Sequence, residues 1–407
     1  DGTRTQLAAG GTFFTEVYPL PIDNAYFPEN FRKSLEEYWP GEDEFGIYIG
    51  KRNVEGGPRA DILAHNSLRI VAGVGGLLSG DWDYDISYLH AQTTSSSTYI
   101  NDLLAPRVFT AVNSSLCESD PDCIPYQVFT YGGVTEEAAR NLPGTGIITG
   151  KTETDIFQAY VTGNTNWGLP AGGIMAVAGY EHRKLEYERI SDTVFGTGDL
   201  LGWWVAVEDI IGTYSVDEIF VEANVPLLAD RTFAQNLTLD LAYRWSDYST
   251  SGSNSTYRVG LDWQALDWLR IRTGFNRAVR APNVGELFVQ QQVWEVWGVE
   301  DPCSGSKPLY SPEQCARSGV TAEQYGNIAP VPIVDGYINV LGGGNPDLDP
   351  EEADTVTVGL VFDAGDSMRL SLDYWDIQID GVIDQIYPEV PLEQCHLDDR
   401  LCDLIQR

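Results

Sequence analysis

Long apolar runs are missing from this chain: no stretch of eighteen apolar residues occurs, so no segment can cross a bilayer as a helix. Basic charge is scarce as well. Lys and Arg total 25 against 60 Asp and Glu, a net charge of −35. A partner of nucleic acid needs a basic face, so nucleic acid is excluded. Asp1-Gly2-Thr3 opens the sequence without the basic and apolar regions of a secretory leader. There is no Gly-x-Ser-x-Gly, no His-Glu-x-x-His and no Cys-x-x-Cys. The four histidines, His65, His90, His182 and His396, are scattered. Catalysis has no recognisable apparatus here, and the expectation is a protein that is not an enzyme and uses no cofactor.

What the chain does have is Tyr (21), Trp (11) and Gly (41) over 407 residues, a composition suited to strands, interfacial aromatics and turns. Its six cysteines fall as local pairs in Pro-, Asp- and Ser-rich segments: Cys117 with Cys123, Cys303 with Cys315, and Cys395 with Cys402. Such pairs read as loop staples formed in an oxidising compartment. Zinc is the rival reading, but the two-residue spacing of a zinc knuckle is absent and few histidines exist to complete a site, so no metal is expected.

Period-two alternation recurs. Leu237, Leu239, Leu241, Tyr243 and Trp245 share one face, with Asn236, Thr238, Asp240, Arg244 and Ser246 on the other. Tyr257, Val259, Leu261 and Trp263 repeat the pattern, as do Trp82, Tyr84, Ile86 and Tyr88 against Asp83, Asp85 and Ser87. About ten strands are expected, near 55–75, 81–94, 151–165, 172–188, 213–226, 233–247, 253–264, 267–280, 351–363 and 367–381. A soluble sandwich would alternate too. The connections discriminate better, because short turns (77–80, 165–172, 227–232, 264–267, 363–366) alternate with longer connections (93–150, 187–212, 247–252, 281–350). An antiparallel up-and-down transmembrane β-barrel sorts its loops in this way, with long loops extracellular.

Two motifs flank the longest connection. Arg277, Arg280, Pro282, Asn283 and Glu286 belong to Phe275-Asn-Arg-Ala-Val-Arg-Ala-Pro-Asn-Val-Gly-Glu-Leu-Phe288. Asn345, Pro346, Pro350 and Glu351 belong to Gly344-Asn-Pro-Asp-Leu-Asp-Pro-Glu-Glu-Ala353. Pro282 and Gly285 suit a strand end and turn, across which Arg280 and Glu286 can pair. Asp347, Asp349, Glu351 and Glu352 offer oxygen ligands but lack the glycine and terminal glutamate of an EF-hand loop. Gly342-Gly343-Gly344 lacks the Lys-Ser/Thr of a phosphate loop.

Together and in this order, these motifs resemble the barrel domain of TonB-dependent outer-membrane receptors. The resemblance implies that residues 1–407 are part of a 22-stranded barrel, with the plug domain and barrel termini outside the sequence. It implies a Gram-negative outer-membrane protein that takes up a scarce solute: a ferric siderophore or other chelate, an oligosaccharide or a peptide. Implied partners are the TonB complex (through the plug segment), outer-membrane lipid, the solute and a surface lipoprotein. A passive porin and a secreted carbohydrate-binding β module are the alternatives. Trp203, Trp204, Trp294, Trp297 and Tyr337 are the candidate solute contacts, since loop aromatics beside acidic residues can stack on rings. Tyr310 and Tyr325 share those loops, and His90 and His182 fall near outer strand ends. Arg258, Arg270 and Arg272 belong to the lumen side, where they can guide anions or pair with a plug.

Overall fold

The computed structural model describes residues 2–8, 17–203, 206–329, 337–363 and 365–407. Fifteen strands are described. In chain order they are β1 (Gly2–Ala8), β2 (Val17–Pro21), β3 (Glu44–Tyr48), β4 (Pro58–Ser79), β5 (Trp82–Leu103), β6 (Pro143–Leu169), β7 (Gly172–Ser191) and β8 (Ile210–Arg231). They continue with β9 (Ala234–Tyr248), β10 (Gly252–Leu266), β11 (Leu269–Arg280), β12 (Gln292–Trp297), β13 (Tyr337–Gly342), β14 (Glu351–Asp363) and β15 (Arg369–Asp380). Eleven of these form one sheet in the order β1-β4-β5-β6-β7-β8-β9-β10-β11-β14-β15, an up-and-down meander, while β2–β3 and β12–β13 are separate ribbons. The class is therefore antiparallel all-β, with the strand order of a barrel wall.

The expected strands all exist, with two corrections. First, the sheet has an eleventh member: β1, well ahead of the first expected strand, pairs with β4 from Gly2↔Leu63 to Ala8↔Pro58. Its sequence Gly-Thr-Arg-Thr-Gln-Leu-Ala has no apolar stripe to betray it. Second, β4 to β8 are longer than their alternation suggested, at 22, 22, 27, 20 and 22 residues. A tilted strand needs only about 9–11 to cross hydrocarbon. The surplus of β5, β6 and β7 lies mainly at their long-loop ends, where both faces meet polar surroundings and no alternation is required, whereas β4 and β8 extend mainly toward their short turns.

The chain divides into two compact units, residues 1–161 with 179–217 and residues 162–178 with 218–407. In the first unit the connections carry helices α1 (Glu29–Tyr38), α2 (Ala105–Val112), α3 (Ser114–Ser119), α4 (Glu136–Asn141) and α5 (Thr193–Gly196). Helices α1 to α4 form a lobe with its own core, in which Leu20, Leu103, Val108, Val112 and Tyr126 are fully buried, while Phe195 of α5 packs in a second cluster with Tyr99, Leu200 and Val207. Each such aliphatic side chain contributes about 1.5–3 kcal/mol of burial. Buried Asn24 joins two loops, donating to the Val112 carbonyl (2.9 Å) and accepting from the Ser114 amide (3.2 Å). Tyr126 donates to Asn53 Oδ1 (3.1 Å), and Asn53 Nδ2 donates to the Ala139 carbonyl (2.9 Å). Burial, then the nearby Glu55, holds the Tyr126 hydroxyl protonated by pushing its pKa upward.

In the second unit the connections hold α6 (Val284–Phe288), α7 (Pro312–Ala316) and α8 (Glu389–Asp398). The register runs without slippage through β9–β10, placing Leu239 opposite Leu261 and Leu241 opposite Val259. It continues through β11–β14 from Leu269↔Phe362 to Arg280↔Glu351. The apolar stripes of neighbouring strands thus align into one continuous face.

Candidate functional site

The two motifs meet at the loop end of β11 and β14. Strand β11 ends at Arg280, directly opposite Glu351, the first residue of β14. Arg280 grips Glu351 with two parallel hydrogen bonds of 2.8 Å, from Nε and Nη2. Its Nη1 donates to both carboxylate oxygens of Glu286, at 3.1 and 3.0 Å. Glu286 in turn closes a capping box on α6: its side chain accepts from the Asn283 amide (2.8 Å), and Asn283 Oδ1 accepts from the Glu286 amide (2.9 Å). The Asn345 amide donates to the Glu286 carbonyl (2.8 Å), and the Gly344 amide to the Val289 carbonyl (2.7 Å). A Cβ on Gly344 would lie 2.7 Å from the Leu287 carbonyl oxygen, so only glycine permits this approach. The expected Arg280–Glu286 pair is present, and Glu351 and Asn345 complete a knot between the motifs. Glu351 is engaged by Arg280 and the Ile383 amide (2.8 Å).

Arg277 serves elsewhere. It shares parity with Phe275 and Ile271, the apolar face, and pairs with Asp354 at 2.6 Å while its guanidinium lies 5.8 Å over the Tyr257 ring. Arg270 and Arg272 occupy the opposite face and pair within the wall, Arg270 with Asp262 and Arg272 with Asp373 (2.8 Å). On that same face Glu218 is nearly fully buried, held by Arg244 (2.9 Å) and Ser246 (2.6 Å).

Among the aromatic candidates, Trp203 belongs to the first unit and Trp294 to the second. Trp203 is partly exposed and packs edge-on against Tyr99 (5.8 Å) and Phe195 (5.2 Å). Trp294 lies on ribbon β12–β13, its ring over Gly342, where a Cβ would meet it at 2.2 Å. Trp204 lies outside the described residues, as do the side chains of Trp297 and Tyr337. Tyr310 and Tyr325 pack on the Cys303–Cys315 core, Tyr325 Oη donating to the Tyr310 carbonyl (2.9 Å).

All three expected disulfides form: Cys117–Cys123, Cys303–Cys315 and Cys395–Cys402. The second and third belong to one small lobe. There His396 is fully buried, its Nδ1–H donating to the Leu392 carbonyl and its Nε2 lying 2.9 Å from Ser318 Oγ and 3.3 Å from Cys303 Sγ. With those sulfurs bonded to each other, this trio lacks the thiolates of a metal site. Burial pushes the His396 imidazole below its ordinary pKa. Burial also raises the Asp301 carboxyl, but its pairing with Arg407 and the Cys303 amide more than reverses this and leaves it below the usual range.

Sequence reasoning missed one arrangement. Tyr88-Leu89-His90 and Tyr180-Glu181-His182 each present hydroxyl and imidazole to a single aspartate on a neighbouring strand. Tyr88 Oη and His90 Nδ1 (2.9 Å) converge on Asp155, and Tyr180 Oη (2.5 Å) and His182 Nδ1 (2.9 Å) on Asp217. The repeated Tyr-x-His was the available signal.

Alternating strands, aligned apolar stripes and organised outer loops define a membrane-type β-barrel wall. The chain belongs to the TonB-dependent receptor β-barrel family, whose model (TonB dependent receptor-like, beta-barrel) matches residues 13–397. The family implies the outer membrane of a Gram-negative bacterium. No curated protein sequence matches the chain. Among solved structures it is similar to the siderophore receptor PirA of Acinetobacter baumannii, with 16% identity, a TM-score of 0.43, and 82% of this chain and 36% of that one covered. It is similar to PirA of Pseudomonas aeruginosa at 11% identity and a TM-score of 0.37, covering 79% and 52%. It is also similar to the RagAB peptide transporter at 13% identity and a TM-score of 0.46, covering 82% and 32%. The chain thus spans about a third to a half of the receptors it matches.

Proposed function

We propose that residues 1–407 form part of a single barrel domain in an outer-membrane active-transport receptor, one that takes up a scarce solute with energy delivered through the TonB complex. The observation that carries this reading is the knot at Arg280, where the two motifs of the family engage each other in three dimensions. It sits where a receptor of this kind needs a stiff rim under mobile binding loops. The solute class is a ferric siderophore or other chelate, an oligosaccharide or a peptide. Trp203, Trp204, Trp294, Trp297 and Tyr337 are the proposed contacts, and a surface lipoprotein is a proposed partner. Uptake by cells carrying the full-length receptor tests the reading. Accumulation of the solute should stop when TonB is deleted and weaken in Trp294→Ala. Uptake that persists without TonB would make the protein a passive porin instead.

A further inference from the structure

In the disulfide lobe of the second unit, three buried side chains converge from three separate elements. Cys303 follows the Asp301 turn, its amide donating to the Asp301 carboxylate (2.9 Å), while Cys315 lies on α7 and His396 on α8. All three are fully buried, and their sulfur and nitrogen atoms lie within 4.8 Å of one another. Cys303 Sγ and His396 Nε2 are 3.3 Å apart. The imidazole is fixed from several directions. Its Nδ1–H donates to the Leu392 carbonyl, the Tyr310 ring stacks on it with centroids 5.1 Å apart, and Arg317 Nη1 donates to the His396 carbonyl (2.8 Å). With the proton on Nδ1, Nε2 turns a lone pair toward the sulfur. Ser318 Oγ donates to that lone pair at 2.9 Å, but the same hydroxyl lies 3.0 Å from the Cys315 carbonyl and can turn there without losing a partner.

While the disulfide is closed, neither sulfur can bind a metal. Opening it changes the donor set. Two thiolates on one tetrahedral zinc stand about 3.8 Å apart, and a thiolate and an imidazole about 3.6 Å. The Cys303–His396 distance is already close to the second value. A backbone carbonyl on Nδ1–H is also the support that orients a histidine on zinc through Nε2. The lobe keeps other ties when the bond opens: Arg407 pairs with Asp301, and the Ser311–Gln314 capping box holds α7. Two thiolates neutralise a dication, and sulfur with imidazole selects zinc over calcium or magnesium. Disulfides form only once a chain reaches an oxidising compartment, so the reduced lobe precedes the cross-linked one. Cys303, Cys315, Cys395 and Cys402 allow three pairings between them, and an ion that holds the first two together leaves the last two for each other.

We propose that the reduced lobe is a zinc site, with Cys303 and Cys315 as thiolates, His396 Nε2 as third ligand and water as fourth, and that the ion keeps this cysteine pair together until it is oxidised. Solute uptake plays no part in it. Full-length receptor in detergent micelles is loosened in mild urea under nitrogen and reduced with a water-soluble phosphine. Each disulfide takes up two electrons and two protons, and the oxygen of water leaves as phosphine oxide. With urea removed, the receptor is titrated with cobalt(II) and then zinc, either ion displacing the two thiol protons. A single cobalt ion should give the sulfur-to-metal charge-transfer band and the visible bands of a tetrahedral site, and zinc should bleach both. Oxidised receptor and Cys303→Ser/Cys315→Ser should show neither. His396→Gln, which still offers Ser318 an acceptor, should weaken cobalt binding about a hundredfold, whereas Cys395→Ser/Cys402→Ser should leave it unchanged. Zinc should also shield Cys303 and Cys315 from alkylation while Cys395 and Cys402 react, as read by peptide mass spectrometry. Reduced receptor that binds no cobalt overturns the proposal. So do bands that survive Cys303→Ser/Cys315→Ser, affinity indifferent to His396→Gln, or equal shielding of all four thiols.

Discussion

Arg280 and Glu351 are 71 residues apart, and one guanidinium answers two carboxylates from opposite ends of the longest connection. Exposed ion pairs are individually weak, but a planar fork engaged bidentately is geometrically selective. Its loss should therefore loosen the junction rather than unfold the wall. Arg280→Ala should accelerate limited proteolysis of 289–344 several-fold in purified receptor, and Arg280→Lys should restore protection only in part, because an ammonium cannot reproduce the fork. Equal protection in all three would assign the stiffness to the Asn283 capping box alone. The nearby Arg280–Glu286 pair was legible in the sequence because six residues spanning a turn imply proximity. The partnership with Glu351 was not, since separation along the chain carries no distance once a loop intervenes. The disulfide lobe makes a second prediction, on pH. His396 and Asp301 both titrate below their ordinary values in the folded lobe. The unfolded lobe then binds more protons at acidic pH, so stability is full above the ordinary imidazole value of about 6.5 and declines as pH falls. Histidine contributes first, aspartate at lower pH. Hydrogen-exchange protection of 298–329 and 389–404, taken relative to the intrinsic exchange rate at each pH, should fall from pH 7.5 to 5 and again toward 3.5. A lobe more protected at pH 5 would reverse the sign.

At the scale of elements, alternation identified where strands meet two different environments, and it ended where the environments became alike. Gln92-Thr-Thr-Ser-Ser-Ser-Thr98 is strand, yet its two faces are equally polar, so nothing in its pattern distinguishes it from a loop. Strand β1 is hidden for the same reason. Helices α2 to α4 escaped notice because each is a short piece, held by burial in a loop lobe rather than by a long amphipathic repeat. The cysteines were more legible, since six, seven and twelve residues of separation leave little choice of partner. In a lobe with a core this small, the cross-links supply much of the stability. Cys303→Ser/Cys315→Ser should destabilise it by about 3 kcal/mol on chain-entropy grounds. The readout is denaturant-dependent exchange of 298–329, with the exchange of β9–β11 unchanged. Transmission of the loss into those strands would mean that the lobe and wall are one cooperative unit.

For the whole molecule, the sorting of connections specifies orientation and the sorting of side chains specifies environment. Each can be tested apart from the other. Protease added to intact cells should cut within 104–142 or 281–350 and spare the turn at Asp267–Trp268, which joins β10 to β11 on the far side. The environment test uses two neighbours on β9. Leu239 stands in register with Leu261 inside a continuous apolar stripe, between Leu237↔Trp263 and Leu241↔Val259. Asp240 points the other way, its Oδ1 accepting from Asn224 Nδ2 at 2.6 Å. Leu239→Arg places a charge against hydrocarbon and should cost roughly 2–4 kcal/mol if the side chain sits at the bilayer midplane, less near an interface. Asp240→Asn keeps the carbonyl oxygen that Asn224 needs and remains on the hydrated face, so it should cost little. Refolding of full-length receptor into lipid vesicles, titrated with denaturant, measures both. Equal penalties would contradict a wall with two environments, and a larger penalty at Asp240 would turn the wall inside out. Repeating the titration in detergent micelles isolates the bilayer's part. If the Leu239→Arg penalty comes from hydrocarbon, it should shrink where the arginine can reach water around a thinner, deformable apolar belt. If it comes instead from a clash with Leu261 across the strand pair, it should persist unchanged.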